Sequence, residues 1–288
     1  MTTDRAYGKN VLIIGGSGQL GKSLSEFMLK KGYTVNSTYN TKAEGTLQLD
    51  VTDRKRTFEV ITKFHPDVII DTHSLLAREC ERDHELAWKV NVEGTKNIAE
   101  AAIETASGLI FISSDYIFDG TKKKYDERET LSPVNQYGFT KAVSEAIVRY
   151  FVPDSLIIRT SGIYGARKGF PKLVYNTLKN GNNFEVYIDQ YVSPTFVENL
   201  TEIIVLLYQK GEKGIFNIAS DKPMSKYEFA VKVCKRFNLN RELLIPVATK
   251  EKSIFTGGKI KLDTKKLEKA LGMKPQDLKE GLNMVEFD

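Results

Sequence analysis

The 288-residue sequence predicts an α/β fold: a doubly wound parallel sheet with a smaller mixed lobe toward the carboxyl terminus. Three observations predict it. Short, wholly apolar runs such as Val11-Leu12-Ile13-Ile14 and Val68-Ile69-Ile70 have the character of strands buried on both faces. Stretches with helical apolar spacing alternate with these runs, and repeated βα units build a parallel sheet. A glycine-rich turn, Gly15-Gly16-Ser17-Gly18-Gln19-Leu20-Gly21, stands between the first apolar run and the first helical stretch. That context lifts a glycine motif above chance and makes the sheet Rossmann-type.

Taken in order, the first helix is expected from about Leu20 to Lys31, with Leu20, Leu24, Phe27 and Met28 on one side and Gly32 ending it. Tyr33–Tyr39 reads as the second strand and Thr46–Leu49 as a third. Asp53 is placed to cap a helix running to Phe64. Pro66–Asp71 is the next buried strand, and Glu85 to Thr105 reads as mostly helix. Leu109–Ile112 is the strand that delivers Ser114, and a helix over Asn135–Tyr150 follows before the strand that starts at Leu156.

Beyond about Gly165 the pattern is less regular. Helices are expected at Leu173–Leu178, Val197–Tyr208, after a Ser225 cap, and at Thr264–Leu271. Phe184–Tyr187 reads as extended, and Gly214–Ile218 as a short strand returning to the main sheet. The expected division is a dinucleotide-binding domain over 1–165, re-entered around 195–220, with 166–288 mostly a substrate-binding lobe. Such a lobe covers the carboxyl ends of the strands, where folds of this kind bind ligands.

Composition narrows the class. Hydrophobic residues make up 41% and charged residues 27%, the balance of a soluble globular protein. The 42 Lys+Arg against 37 Asp+Glu leave a formal +5, too modest and scattered for a nucleic-acid footprint. Cys80 and Cys234 have no metal-like spacing and suggest a reducing compartment. No stretch approaches the ~20 apolar residues of a membrane span, and Met1–Lys9 lacks the character of a signal peptide. The expected location is cytoplasmic. No metal site is expected.

The chemistry concentrates in two places. In the glycine turn, Gly15 permits the tight bend, Gly18 lets backbone amides approach a pyrophosphate, and Gly21 allows close helix packing, with the helix N-terminus supplying partial positive charge. Cofactor choice is argued at the end of strand two, where a carboxylate about 20 residues on would bind the NAD ribose. Here the tip reads Ser37-Thr38-Tyr39-Asn40-Thr41-Lys42, with no carboxylate until Glu44. NADP(H) is therefore favoured, with NAD(H) open, and Tyr39 is the cofactor-facing aromatic of this tip. The second place is Tyr137 with Lys141. At i and i+4 they share a helix face, and a cation within ~4–6 Å pulls a phenol pKa of about 10 down by roughly 1–3. A proton donor tuned toward neutrality suits carbonyl reduction. Tyr164 with Lys168 and Tyr175 with Lys179 repeat the spacing and read as surface coincidences.

Together these residues resemble the extended short-chain dehydrogenase/reductase superfamily, and within it the dTDP-4-dehydrorhamnose reductase family. The resemblance is carried by Gly15–Gly21, Asp50-Val51-Thr52-Asp53, Val90-Asn91-Val92-Glu93-Gly94-Thr95 and Ser113-Ser114-Asp115-Tyr116-Ile117-Phe118-Asp119-Gly120. It continues through Tyr137–Lys141, Arg159-Thr160-Ser161, Asp189-Gln190 and Ser193-Pro194-Thr195. It implies that Gly15, Ser17, Gly18, Gln19 and Leu20 hold a pyrophosphate and Asp50 and Val51 the adenine. Thr72, His73 and Ser74 line the dinucleotide, whose nicotinamide end meets Tyr137 and Lys141. Ser114, Asp115 and Tyr116 stand beside the sugar, and Ser114, Tyr137 and Lys141 carry the reduction.

Four departures from that family qualify the substrate. Asp71-Thr72-His73 replaces Asn-Ala-Ala, leaving His73 open between cofactor contact and structural hydrogen-bonder. Ser114 stands where the family often has Thr, Gly162 replaces an aromatic near the sugar, and an Arg-Pro pair is absent around Lys259–Asp263. Tyr116 occupies the place where related dehydratases carry a Glu acid/base, which favours simple reduction over elimination. The resemblance implies an NADPH-dependent reductase of a nucleotide-activated 4-keto-6-deoxy sugar, its partner a nucleotide-sugar and a homodimer open. Two alternatives stay open: another reductase or epimerase of the superfamily, and a non-catalytic dinucleotide binder like the methionine adenosyltransferase β subunit.

Overall fold

The computed structural model describes residues 8–40, 47–249 and 258–287; Thr41, Lys42, Glu44 and Thr46 lie outside the described residues. The amino-terminal half runs β1 (Asn10–Ile14), α1 (Gln19–Lys30), β2 (Thr34–Tyr39), β3 (Leu47–Gln48), α2 (Arg54–Phe64) and β4 (Val68–Asp71). It continues with α3 (Ala77–Arg82), α4 (His84–Ala87), a π-helical turn (Trp88–Glu93), α5 (Gly94–Glu104) and β5 (Gly108–Ser114). A 3-10 turn over Asp115–Ile117, then α6 (Gln136–Phe151), β6 (Leu156–Thr160), β7 (Ile163–Tyr164) and α7 (Phe170–Lys179) follow. The rest comprises β8 (Phe184–Tyr187), β9 (Tyr191–Val192), β10 (Thr195–Phe196), α8 (Val197–Gln209), β11 (Gly214–Ile218), β12 (Met224–Ser225), α9 (Lys226–Phe237), β13 (Leu244–Val247), α10 (Lys265–Leu271) and α11 (Leu278–Met284).

The main sheet has seven strands in the order β11-β6-β5-β4-β1-β2-β3, every pair parallel. The reversal of strand order between β1 and β4 is the switch point at which a doubly wound sheet opens a crevice along its carboxyl edge. Its central strands β1 and β4 are largely apolar because each face has its own core. Val11, Ile13, Val68 and Ile70 pack toward α1, α8 and α10, while Leu12, Ile14, Ile69 and Phe111 pack toward α2, α5 and α6. Fully burying each such side chain contributes roughly 1.5–3 kcal/mol. A third core, built around Tyr164, Val174, Val186, Phe229 and Val233, fills the lobe of α7, α9, α11, β8 and β13. No helix among the described residues is long and apolar enough to cross a membrane.

Caps and turns fall where local chemistry places them. Asp53 accepts from Arg56 N to start α2, and Ser225 with Glu228 forms a reciprocal capping box on α9. Two differences from the sequence reading stand out. The helix expected from Glu85 to Thr105 is interrupted by the π turn, which turns Asn91 inward: its Oδ1 accepts from Leu75 N at 2.7 Å, and its Nδ2 donates to Thr140 Oγ1 at 3.0 Å. Such π turns recur at functional sites. The short α3 and the two-residue strands β7, β9, β10 and β12 carry too few residues for any periodicity to register.

Candidate active site

At the carboxyl edge of the switch point, the turn after β1 leads straight into α1. Gly15 has φ +87°, and a Cβ there would lie 2.9 Å from both His73 N and Thr72 Oγ1, so the turn presses on the end of β4. A Cβ on Gly21 would lie 2.5 Å from Gly15 O, which makes glycine necessary for α1 to approach that turn. Gly18 is different. An added Cβ meets only Gly15 O at 3.1 Å, within contact reach but without severe overlap. Gln19 Nε2, at the start of α1, is buried without a hydrogen-bond partner. Amides at a helix start, a cradle a Cβ would fill and an orphaned donor together fit a dinucleotide pyrophosphate. Gly18→Val is accordingly expected to leave the fold intact, by circular dichroism and melting, while abolishing calorimetric dinucleotide binding; unchanged affinity in the folded variant would remove the turn from the site.

The other cofactor-facing residues named from sequence line the same edge. Tyr39 ends β2, Ser37 Oγ meets Ser25 Oγ at 2.8 Å, and Gly16 N donates to Thr38 O at 2.8 Å, so the β2 tip backs directly on the turn. Asp50 Oδ1 accepts from Thr52 N at 2.9 Å, and Val51 O accepts from Asn97 Nδ2 at 2.9 Å, which ties that loop to α5. Thr72 Oγ1 donates to Ile14 O at 2.8 Å. The His73 ring is a structural hydrogen-bonder: Nδ1 pairs with Asp71 Oδ1 and Nε2 with Val90 O at 2.9 Å. Both ring nitrogens are used, so its backbone rather than its ring faces the turn.

Across the crevice, β5 delivers Ser114 and α6 delivers Tyr137. Asn135 caps α6 by accepting from Gly138 N at 2.7 Å. A Cβ on Gly138 would fall 2.0 Å from Tyr116 O, so glycine lets α6 lie against the 3-10 turn. The Tyr116 and Tyr137 rings consequently meet edge to face, 5.8 Å apart at 85°. Ser114 Oγ donates to Asp115 Oδ1 at 3.2 Å and accepts from Tyr116 N. The Ser74 and Ser114 hydroxyls both act on the Tyr137 phenol.

Electrostatics here differ from the sequence expectation. Burial pushes Tyr137 up to about 12, with the Ser74 and Ser114 hydroxyls pulling the other way. Lys141 is not among the main influences on it. The ammonium lies over the Phe111 ring, 4.2 Å from its centroid, and is 3% exposed. Its own pKa is lowered to about 8, chiefly by burial, against the support of Asp71 and Glu145. Helical spacing placed the two residues on one flank of α6 but did not fix the direction of the long Lys stem, which packs on β5. Asp115, 4% exposed, is pushed up to about 6 by burial, with the Ser161 and Ser114 hydroxyls opposing. Ser161, Asn91 and Gly138 are the structural contributors that sequence reasoning did not assign as site residues. All lie within or beside recognisable motifs, but their roles need the π turn and the loop after β6.

The two comparison tyrosines separate. Tyr175 is half-buried on Phe237 and Phe287, its hydroxyl accepting from Lys179 Nζ at 2.9 Å. Tyr164, read from sequence as a surface residue, is 1% exposed in the lobe core, because β7 turns it inward against Phe196 and Phe229. At Gly162, φ is +48° and a Cβ would fall 2.0 Å from Val192 Cγ2, so no side chain fits there.

Known proteins share this fold. Residues 9–286 match the model of the family described as RmlD substrate binding domain. The chain is 30% identical to the dTDP-4-dehydrorhamnose reductase of Aggregatibacter actinomycetemcomitans, over 96% of the chain and 97% of that relative. It is 28% identical to methionine adenosyltransferase 2 subunit beta of Mus musculus, over 83% of the chain and 75% of that relative. Among solved structures, the dTDP-4-dehydrorhamnose reductase of Bacillus anthracis str. Ames, in complex with NADP, superposes with a TM-score of 0.87 at 28% identity, covering 96% of this chain and 98% of that one.

Proposed function

Because the chain belongs to the RmlD substrate binding domain family and is an NAD(P)-dependent oxidoreductase, we propose that it reduces a nucleotide-activated 4-keto-6-deoxy sugar with NADPH. The observation that carries this reading is the Tyr137 phenol met by the Ser74 and Ser114 hydroxyls and edge-on to Tyr116, one helical turn from the buried Lys141. In this reading residues 1–165, with α8 and β11 returned to them, hold the dinucleotide, and most of 166–288 closes over the sugar. Gly15, Ser17, Gly18, Gln19 and Leu20 hold the pyrophosphate, Asp50 and Val51 the adenine, and Tyr39 the adenosine side. Thr72, Ser74 and the His73 backbone line the dinucleotide up to Tyr137 and Lys141.

When bound, the dinucleotide supplies the hydride that a ketone carbon accepts. Ser114 Oγ donates a hydrogen bond to the ketone oxygen as negative charge builds there. Tyr137 then gives that oxygen its proton. A phenol held up at about 12 stays protonated at neutral pH, and the alkoxide it meets is a far stronger base, so donation runs downhill. The same elevation disfavours the reverse role, in which Tyr137 would abstract a proton from an alcohol. Lys141 holds the nicotinamide ribose, its ammonium lying over Phe111 and supported by Asp71 and Glu145. Asp115 and Tyr116 flank the sugar.

NADPH over NADH follows from the β2 tip, where Ser37, Thr38, Tyr39 and Asn40 offer no carboxylate. Calorimetry is expected to give the lower Kd for NADPH; a clear preference for NADH would mean the neutral tip was misread. The function itself is tested by NADPH consumption with a panel of dTDP-, UDP- and GDP-4-keto-6-deoxy sugars, at least one of which is expected to turn over. Likeness to a methionine adenosyltransferase subunit favours one second reading, a dinucleotide-binding partner protein, which moves to the front if no sugar in the panel reacts.

A further inference from the structure

A buried carboxylate and an imidazole share a proton at the end of β4. The Asp71 side chain is fully buried and that of His73 is 9% exposed. Asp71 Oδ1 accepts from His73 N at 3.1 Å and pairs with His73 Nδ1 at 2.5 Å, while His73 Nε2 meets Val90 O at 2.9 Å. A carbonyl and a carboxylate only accept, and a neutral imidazole has a single N–H. Two ring nitrogens facing two acceptors therefore require one proton beyond those of a carboxylate and a neutral imidazole. The surroundings are shaped for the ring. A Cβ on Gly94 would lie 2.5 Å from Val51 Cγ2 and 3.2 Å from His73 Nε2, so α5 begins on glycine where the imidazole passes. Through Val90 the same ring holds the π turn that aims Asn91.

The other carboxylate oxygen, Asp71 Oδ2, is buried with no hydrogen-bond partner among the described residues. Strand register says what lies beside it. Ile14, Asp71 and Phe111 are neighbours across β1, β4 and β5, so their side chains leave one face of the sheet at strand spacings of about 4.8 Å. The Lys141 ammonium comes down on that face from α6, 4.2 Å from the centre of the Phe111 ring. It therefore stands over the strand next to Asp71. Burial lowers the Lys141 pKa, while Asp71, then Glu145 on α6 and Cys80 on α3, support its charge. An ammonium there favours the carboxylate over the carboxylic acid, which leaves the shared proton on the His73 ring. We propose that Asp71, held by the His73 imidazolium, is the counter-ion that seats Lys141, and that both are positioning residues for the reduction. The Asn and Ala that Asp71 and His73 replace carry no charge. The role rests on the reading in which Lys141 holds the nicotinamide ribose, but the pair itself needs no ligand.

Three measurements on the full chain test this. The first needs neither variant nor ligand: the nitrogen NMR shifts of the His73 ring at neutral pH are expected to be those of an imidazolium, both nitrogens protonated, and a neutral ring overturns the pair. The second follows the Lys141 Cε resonance against pH, also without ligand. Its midpoint, about 8 in wild type, should fall by roughly one pH unit or more in Asp71→Asn. If that variant does not fold, Asp71→Asn combined with His73→Ala removes charge and ring together and serves in its place. A merely structural pair would lower the Tm and leave the midpoint where it was. An unmoved midpoint in either folded variant overturns the counter-ion. The third is calorimetry with NADPH, whose binding should weaken roughly fivefold at about pH 8 in Asp71→Asn and stay unchanged near about pH 6. A midpoint that falls without that loss keeps the pair and removes Lys141 from the dinucleotide.

Discussion

Tyr137→Phe is expected to lower ketone turnover by roughly 10²–10⁴, the usual worth of a positioned general acid, or about 3–5 kcal/mol of barrier. The ring edge-on to Tyr116 survives the change, so dinucleotide affinity should stay within a few-fold of wild type. Tyr175→Phe is the control, because it repeats the Lys spacing on α7, where its ring packs on Phe237 and Phe287 and its hydroxyl meets Lys179. Tyr164→Phe is a poor control, since that hydroxyl is buried in the lobe. Lys141→Met should lose turnover and dinucleotide affinity together. With its pKa lowered to about 8, Lys141 is charged below that value and neutral above it. Dinucleotide affinity in the free protein should therefore fall as pH rises past about 8, and Lys141→Met should flatten that dependence. Full turnover in Tyr137→Phe would remove the phenol from the chemistry.

Much of this is legible in the sequence. The Val11–Ile14 and Val68–Ile70 runs announced strands buried on both faces because each residue of the pair-wise alternation meets a different core. Asp53 and Ser225 announced helix starts because a side-chain oxygen on an early amide is a local effect. Gly15 to Gly21 and the Ser114 to Tyr137 pairing were readable for the same reason: short segments with chemistry of their own. What the sequence could not convey was long-range. Lys141 turns to Phe111, and burial rather than the lysine sets the Tyr137 pKa, because a flexible stem settles on whatever strand lies beneath it. Tyr164 is buried because a two-residue strand, with no pattern to betray it, joins β10. The His73 ring is occupied by partners 2 and 17 residues away in sequence, only the nearer of which a local reading could suspect.

The second large effect lies beneath the site. Glu145 on α6 and Arg159 on β6 form a bidentate pair, Nε to Oε1 at 3.0 Å and Nη2 to Oε2 at 2.7 Å, each side chain 2% exposed. The Arg159 guanidinium also lies 5.3 Å from the centre of the Phe118 ring, in the core under the 3-10 turn. Removing one partner of such a pair leaves an uncompensated buried charge and costs about 3–5 kcal/mol. Glu145→Ala is therefore expected to lower the Tm by on the order of 10 °C. Replacing both partners with apolar residues of similar volume, Glu145→Leu with Arg159→Met, should recover most of that loss, because the large term is the orphaned charge and not the missing attraction. Glu145 also supports the Lys141 ammonium one helical turn away. Its loss should thus shift the alkaline fall in dinucleotide affinity to lower pH, while a purely structural role would leave that midpoint where it was. Thermal melts of the single and double variants, with dinucleotide titrations at several pH values, separate the two roles; a single variant that melts within a degree or two of wild type would show that Arg159 finds another partner.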